Sequence, residues 1–93
     1  MSEYFTFEAQ PTDDPDVMVI VTNQPLAPEG DEYYNGYEAG DEGSPIAQLL
    51  FNAVSGILAL NISNGTLTVS RDPDVSWEAI VDDVRDALRD FFL

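Results

Sequence analysis

The sequence predicts a two-layer α+β sandwich in which two helices pack on a mostly antiparallel sheet of four to five strands. Three observations carry this prediction: short alternating or β-branched runs, two longer stretches with apolar residues at helical spacing, and an Asn-Gly pair between two alternating runs. The elements follow the order β-β-(β)-α-β-β-α along the chain. No internal repeat interrupts this order, and we expect one domain over residues 1–93.

Three strands are predicted in the first half of the chain. Residues 4–9 are rich in aromatic side chains and alternate with polar ones. Residues 17–22 are β-branched and nearly all apolar, which predicts a strand that is central in the sheet or buried on both faces. Residues 33–39 are predicted as a short third strand, weakened by Gly36, and residues 40–43 as a linker.

A hairpin is the clearest local signal in the sequence. Asn64-Gly65 is the preferred pair for a two-residue type I′ turn, and alternating runs flank it on both sides. Turn chemistry and apolar pattern then agree on one register, with the apolar residues on one face. The predicted pairs are Leu60 with Val69, Ile62 with Leu67, Ser63 with Thr66 and, on the opposite face, Asn61 with Thr68. Leu58 continues the apolar alternation and is expected on the core face.

Two helices are predicted, each with a polar residue at its start. Ser44 caps the first helix and Pro45 takes its first position; Ser76 caps the second, which runs to about Phe91. The apolar stripe of the first helix contains Ile46, Leu49, Leu50 and Ala53. The stripe of the second contains Trp77, Ile80, Val81, Val84, Leu88 and Phe91. Both stripes are predicted to face the core.

The charge of the chain excludes several classes of partner. The net charge is −15, with three Arg and no Lys, and residues 2–70 contain no basic residue. Nucleic-acid binding depends on Lys and Arg, and so does attraction to anionic membranes, so neither partner is expected. The first residues lack the features of a signal peptide, and no apolar run approaches the length of a membrane span. We therefore expect a cytoplasmic protein.

Cysteine and histidine are both absent from the chain. Their absence removes the commonest metal ligands, the thiol nucleophile and the usual general base near neutral pH. An enzyme and a bound cofactor are therefore not expected. A carboxylate enzyme remains as an alternative, for which the structure would have to show a concave pocket that gathers at least two acids.

One short segment suggests a different class of function, a divalent-cation-binding domain. Asp13, Asp14 and Asp16 lie within four residues, and carboxylate oxygens are the ligands that Ca²⁺ and Mg²⁺ prefer. The spacing does not match an EF-hand loop. The competing interpretation is a solvated turn before a strand, which we favour.

A group of three aromatic residues is a candidate for partner binding. Tyr33, Tyr34 and Tyr37 lie close together in sequence, flanked by acidic residues. Such residues form a recognition patch in many interfaces. They also pack under loops or cover sheet edges, and we favour packing for this group.

Several segments resemble one known family in the same order along the chain. Residues 11–20, Pro-Thr-Asp-Asp-Pro-Asp-Val-Met-Val-Ile, resemble the Pro-Thr-x-Asn-Pro-x-Thr-Leu-Lys-Phe opening of the Nfu/NifU-like scaffold N-terminal domain. Residues 43–51 resemble its Ser-Pro-Leu-Ala-x-x-Leu-Phe helix, and residues 65–69 its Asp-Phe-Ile-Thr-Val strand. Trp77 and Ile80 match the Trp-x-x-Ile of its last helix. Where the family has a Lys in the second strand, this chain has Val.

The resemblance implies a role beside iron–sulfur cluster assembly. In full-length relatives a second domain carries the CxxC that binds the cluster, and this sequence contains no such motif. The resemblance therefore implies a stand-alone accessory or protein-interaction domain that supplies no cluster ligand. Its implied partners are iron–sulfur biogenesis proteins or their client apoproteins.

The acidity has two interpretations that a melting curve separates. Abundant Asp without Lys suggests a salt-rich cytoplasm, because concentrated salt screens the self-repulsion of a strongly charged chain. The alternative is an acidic protein of an ordinary cell. Under the first hypothesis the melting temperature should rise between low and roughly 1 M KCl, where the Debye length falls to about 3 Å. An unchanged melting temperature would contradict it.

Overall fold

Residues 5–92 are described by the computed structural model; Tyr4, which the first predicted strand includes, lies outside this range. Their elements are β1 (Phe7–Pro11), β2 (Val17–Thr22), β3 (Glu32–Asn35), α1 (Tyr37–Asp41), α2 (Pro45–Ala53), β4 (Ile57–Ser63), β5 (Thr66–Arg71) and α3 (Trp77–Phe92). The five strands form one sheet in the order β1-β2-β5-β4-β3, and all four pairings are antiparallel. The predicted α+β class and its antiparallel sheet are confirmed.

The β4–β5 hairpin has the predicted register. Leu60 pairs with Val69, Ile62 with Leu67, Asn61 with Thr68 and Ser63 with Thr66. Gly65 has a φ of 82°, the left-handed conformation that a type I′ turn requires and that glycine adopts without strain. The apolar residues of the register are fully buried on the face that carries the helices. Local turn chemistry and burial therefore specify the same pairing.

A β-bulge interrupts the pattern at the start of β4. Ile57 pairs with Arg71 and Ala59 with Ser70, so Leu58 is the extra residue between them. The bulge shifts the alternation by one, and Ile57 is buried whereas Leu58 is 50% exposed. The prediction that Leu58 faces the core is wrong, because periodicity alone does not reveal an inserted residue.

The helices cover one face of the sheet and enclose the core with it. α3 contributes Ile80, Val84 and Leu88, which are fully buried. The connection between β2 and β3 contributes the buried residues Leu26 and Ala27. None of the described helices covers the opposite face, and Val21 there is 38% exposed. β2 is therefore an interior strand covered on one face, which agrees with the central position that was one of the two predicted alternatives and excludes burial on both faces.

The segment predicted as a strand over residues 33–39 changes conformation part-way. β3 ends at Asn35, Gly36 adopts a φ of 107°, and the short helix α1 follows. α1 includes part of the predicted linker, and its Gly40 lies against Phe51 of α2. A Cβ at Gly40 would overlap the Phe51 ring, so this approach of the two helices requires glycine.

The buried face of α2 is rotated about the helix axis relative to the predicted one, and it includes Phe51. Ser44 Oγ accepts a hydrogen bond from Ala47 N at 3.3 Å, so the predicted cap is confirmed. Ile46 and Leu50 are buried as expected. The other buried positions of α2 are Ala47 and Phe51. Of the predicted core residues, Leu49 is half-buried and Ala53 is exposed.

Adjacent residues on β5 test which face is the core. We expect Leu67→Ala to lower the free energy of unfolding by about 2–5 kcal/mol, because the substitution leaves a cavity in a fully buried site. Thr68→Ala, on the open face, should cost less than about 1 kcal/mol. Urea unfolding in molar KCl measures both variants. Equal losses would contradict the register.

Candidate functional site

The acidic segment before β2 is a structured turn. Asp14 Oδ1 accepts a hydrogen bond from Asp16 N at 2.9 Å, and Val17 N donates to Asp14 O at 3.1 Å. Asp16 forms an ion pair with Arg71, and Asp13 is exposed. Within residues 5–92 no group of three or more acidic side chains is arranged to hold a metal ion. The contacts of Asp14 therefore stabilise the turn, and Asp16 connects the turn to Arg71 at the end of β5.

Arg71 joins this turn to the start of α3, and we call the group the Arg71 junction. Arg71 Nε lies 3.2 Å from Asp16 Oδ1, and its Nη1 donates to Val75 O at 3.1 Å. The guanidinium lies 5.1 Å from the centre of the Trp77 ring. Trp77 Nε1 donates in turn to Pro15 O at 2.7 Å. The junction thus fixes two loops and the first turn of α3 to the end of β5.

The tyrosine group does not form one patch. The Tyr34 hydroxyl donates to Glu32 Oε1 at 2.6 Å and accepts from Ser44 N at 3.1 Å, so this residue packs at the start of α2. Tyr33 is 65% exposed on the opposite face of β3. The sequence neighbours Tyr33 and Tyr34 therefore serve different faces, as the alternation of a strand requires.

Tyr37 lies apart from both on α1. Its hydroxyl donates to Asn52 Oδ1 at 2.7 Å, and its ring meets the Phe51 ring edge-on at 6.5 Å between centroids. These contacts connect α1 to α2. Half of the side chain nevertheless remains exposed.

A cleft between α2 and α3, here the α2–α3 cleft, is a concave surface that brings three carboxylates beside apolar side chains. It has a volume of about 410 Å³ and is lined by Leu49, Ala53, Asp83, Asp86, Ala87, Asp90 and Phe91. The apolar residues of both helices form its floor, and three carboxylates of α3 form one rim. Beyond Leu49 and Ala53 the depression continues along α2 past Pro45, Gln48 and Asn52.

The rim of the cleft is acidic and only partly neutralised. Asp86 Oδ1 accepts a hydrogen bond from Arg89 Nη2 at 2.9 Å, one helical turn away. Asp83 and Asp90 have no ion pair within residues 5–92. Arg85 is directed away from the cleft, over the Phe7 ring at 5.5 Å. The cleft therefore presents net negative charge beside apolar surface.

The comparisons with known proteins agree with this architecture. The family described as scaffold protein Nfu/NifU N terminal matches residues 7–93. The chain belongs to this family. The match of this Nfu/NifU N-terminal domain covers all the strands and helices described above.

Two solved structures share the fold of this Nfu/NifU N-terminal domain. A NifU-like protein from Saccharomyces cerevisiae, solved by solution NMR, superposes with a TM-score of 0.78 at 18% identity, over 97% of this chain and 82% of that one. Protein SAV1430 from Staphylococcus aureus, solved by crystallography, gives a TM-score of 0.68 at 16% identity, over 87% of this chain and 94% of that one. No curated protein matches the sequence significantly. None of the helices described within residues 5–92 has the length and apolar character to cross a membrane.

Two arginines of equal charge test the Arg71 junction. We expect Arg71→Met to lower the free energy of unfolding by about 1–3 kcal/mol, because a half-buried hydrogen bond, an ion pair and a cation–π contact are lost together. Arg89→Met removes the same charge from an exposed pair and should cost no more than about 0.5 kcal/mol. Urea unfolding of both variants checks this, and an equal cost for the two would show that the junction contributes nothing beyond net charge.

Proposed function

We propose that the chain acts as a single non-enzymatic protein-interaction domain in iron–sulfur cluster assembly or delivery, and that it does not itself ligate the cluster. The observation that carries the proposal is the family match over residues 7–93. The absence of cysteine and histidine supports the second part, because these residues are the usual ligands of such clusters. A partner would supply the thiolates.

The carboxylates of the α2–α3 cleft favour recognition over catalysis. The cleft does gather three acids, so the pocket required for a carboxylate enzyme is present. Asp83, Asp86 and Asp90 are exposed, however, and they stand along one rim of a wide, open depression. Acid–base catalysis requires carboxylates that converge on a substrate held in an enclosed pocket. Solvated carboxylates at an apolar border are better suited to attracting a cationic protein surface.

The charge of the chain indicates the chemistry of its partner. With a net charge of −15, the domain attracts basic surfaces and repels acidic ones over distances set by the salt concentration. We therefore propose that its partner, an iron–sulfur biogenesis protein or a client apoprotein in the cytoplasm, carries a basic patch. Such a charge pair accelerates association and selects against acidic competitors.

Capture from a native lysate tests the proposed function. The immobilised chain, at the salt concentration of its own cell, should retain identified iron–sulfur biogenesis proteins or client apoproteins. Leu67→Asp is the control, because it keeps the acidic charge while placing a carboxylate in the fully buried core. Proteins retained equally by both chains bind through charge alone. Recovery of no iron–sulfur protein by the native chain would refute the proposal.

A further inference from the structure

The α2–α3 cleft exposes apolar residues that helical periodicity assigns to a buried face. Leu49, Ala53 and Phe91 all belong to the stripes predicted to face the core. In the structure they line the cleft: Leu49 is half-buried and also packs against the core, Ala53 is exposed and Phe91 is 47% exposed. The apolar surface of the two helices is therefore wider than the part that packs on the sheet.

The acidic rim runs parallel to this apolar floor. Asp83, Asp86 and Asp90 are spaced by three and four residues, so they lie along one side of α3 over two turns, about 10 Å. Asp83 and Asp90 lack an ion-pair partner among the described side chains. An apolar floor with a row of unneutralised charge is the surface that an amphipathic helix of opposite charge recognises.

We propose that the α2–α3 cleft is the docking site for a cationic amphipathic helix of a partner protein. The apolar stripe of that helix lies on Leu49, Ala53 and Phe91, and its Lys or Arg residues flank the stripe and face the aspartate rim. This inference rests on the proposed interaction role and assigns that role to one surface. α2, with nine residues, is about 13 Å long and offers room for two to three turns of a partner helix.

Charge decides between this occupant and others. A second copy of the chain would bring another net charge of −15 against an acidic rim, which opposes self-association through this cleft. An anionic membrane surface is repelled for the same reason. A partner helix with basic flanks gains both apolar burial and charge complementarity.

A designed peptide provides the probe for the test. We would use a helical peptide of about 18 residues, with leucines along one face and lysines on both flanks of that face. A second peptide has the same composition in scrambled order, and a third has Glu in place of Lys. Titration of the ¹⁵N-labelled full chain should shift the backbone amides of α2 and α3 around the cleft with the first peptide only.

Charge-matched variants separate the rim from general acidity. The triple variant Asp83→Asn, Asp86→Asn, Asp90→Asn should weaken binding of the first peptide by roughly tenfold, because three rim interactions are lost. The triple control Glu8→Gln, Asp13→Asn, Glu38→Gln removes the same charge from exposed sites that do not line the cleft and should weaken binding less than about twofold. Equal effects of the two triples would overturn the proposal.

A second pair of variants tests the apolar floor. Leu49→Ala should weaken binding several-fold, since the leucine side chain is the larger part of the floor on α2. Leu58→Ala is the control, because Leu58 is exposed on the bulge of β4 and does not line the cleft. Circular dichroism of each variant establishes that the fold is retained. Loss of affinity in Leu58→Ala but not in Leu49→Ala would place the site elsewhere.

Other results of these titrations and captures would also bear on the proposed docking site. Shifts spread evenly over the acidic surface, or equal binding of the scrambled peptide, would show non-specific attraction and overturn the proposal. Cleft shifts on concentrating the chain without peptide would show that a second copy occupies the site. If the native chain captures iron–sulfur proteins and the rim variant captures them equally, the cleft assignment fails while the proposed function stands. If the peptide binds in the cleft but no iron–sulfur protein is captured, the proposed function fails instead.

Discussion

The register of β5 is the constraint on which the rest of the structure depends. β5 is the central strand, and it pairs with β2 on one side and β4 on the other. Its Leu67 and Val69 point to the same face as Ile20, Leu60 and Ile62, so one face of the sheet becomes continuous and apolar. A slip by one residue would exchange these side chains for Thr66, Thr68 and Ser70 and would remove the surface on which the helices pack. Gly65 holds this register because it adopts the turn conformation without strain.

A single helical layer follows from that constraint and determines where the charges lie. The helices bury the apolar face of the sheet, and most of the described carboxylates occupy loops and the outer sides of the helices. On the open face the strands present mainly Val, Thr, Ser and Asn, and within residues 5–92 Glu8 is the only charged strand residue there. The layer that provides the core therefore also provides the acidic surface. The α2–α3 cleft lies in that layer, where surplus apolar residues of both helices meet the aspartates of α3.

The Arg71 junction explains the acidic turn before β2 as part of the architecture. Asp14 stabilises the turn through a backbone amide, and Asp16 reaches the one arginine outside α3. Trp77 closes the arrangement from the opposite side by its hydrogen bond to Pro15. Such contacts orient α3 relative to the sheet. They also leave the acidic cleft, rather than the acidic turn, as the better candidate for recognition, because its carboxylates adjoin exposed apolar surface.

The sequence by itself determined the α+β class, the hairpin register, both helix caps and the absence of thiolate and imidazole chemistry, since each depends on local propensity or composition. Only the tertiary structure decided which apolar residues are buried. The bulge turned Leu58 outward, and the contact of Phe51 with Gly40 accompanied the partial exposure of Leu49 and the exposure of Ala53. The tertiary structure also placed the three tyrosines on different surfaces and brought residues of α2 and α3 together in the cleft. Periodicity identifies an apolar stripe, but the part of that stripe that remains uncovered depends on how distant elements approach one another.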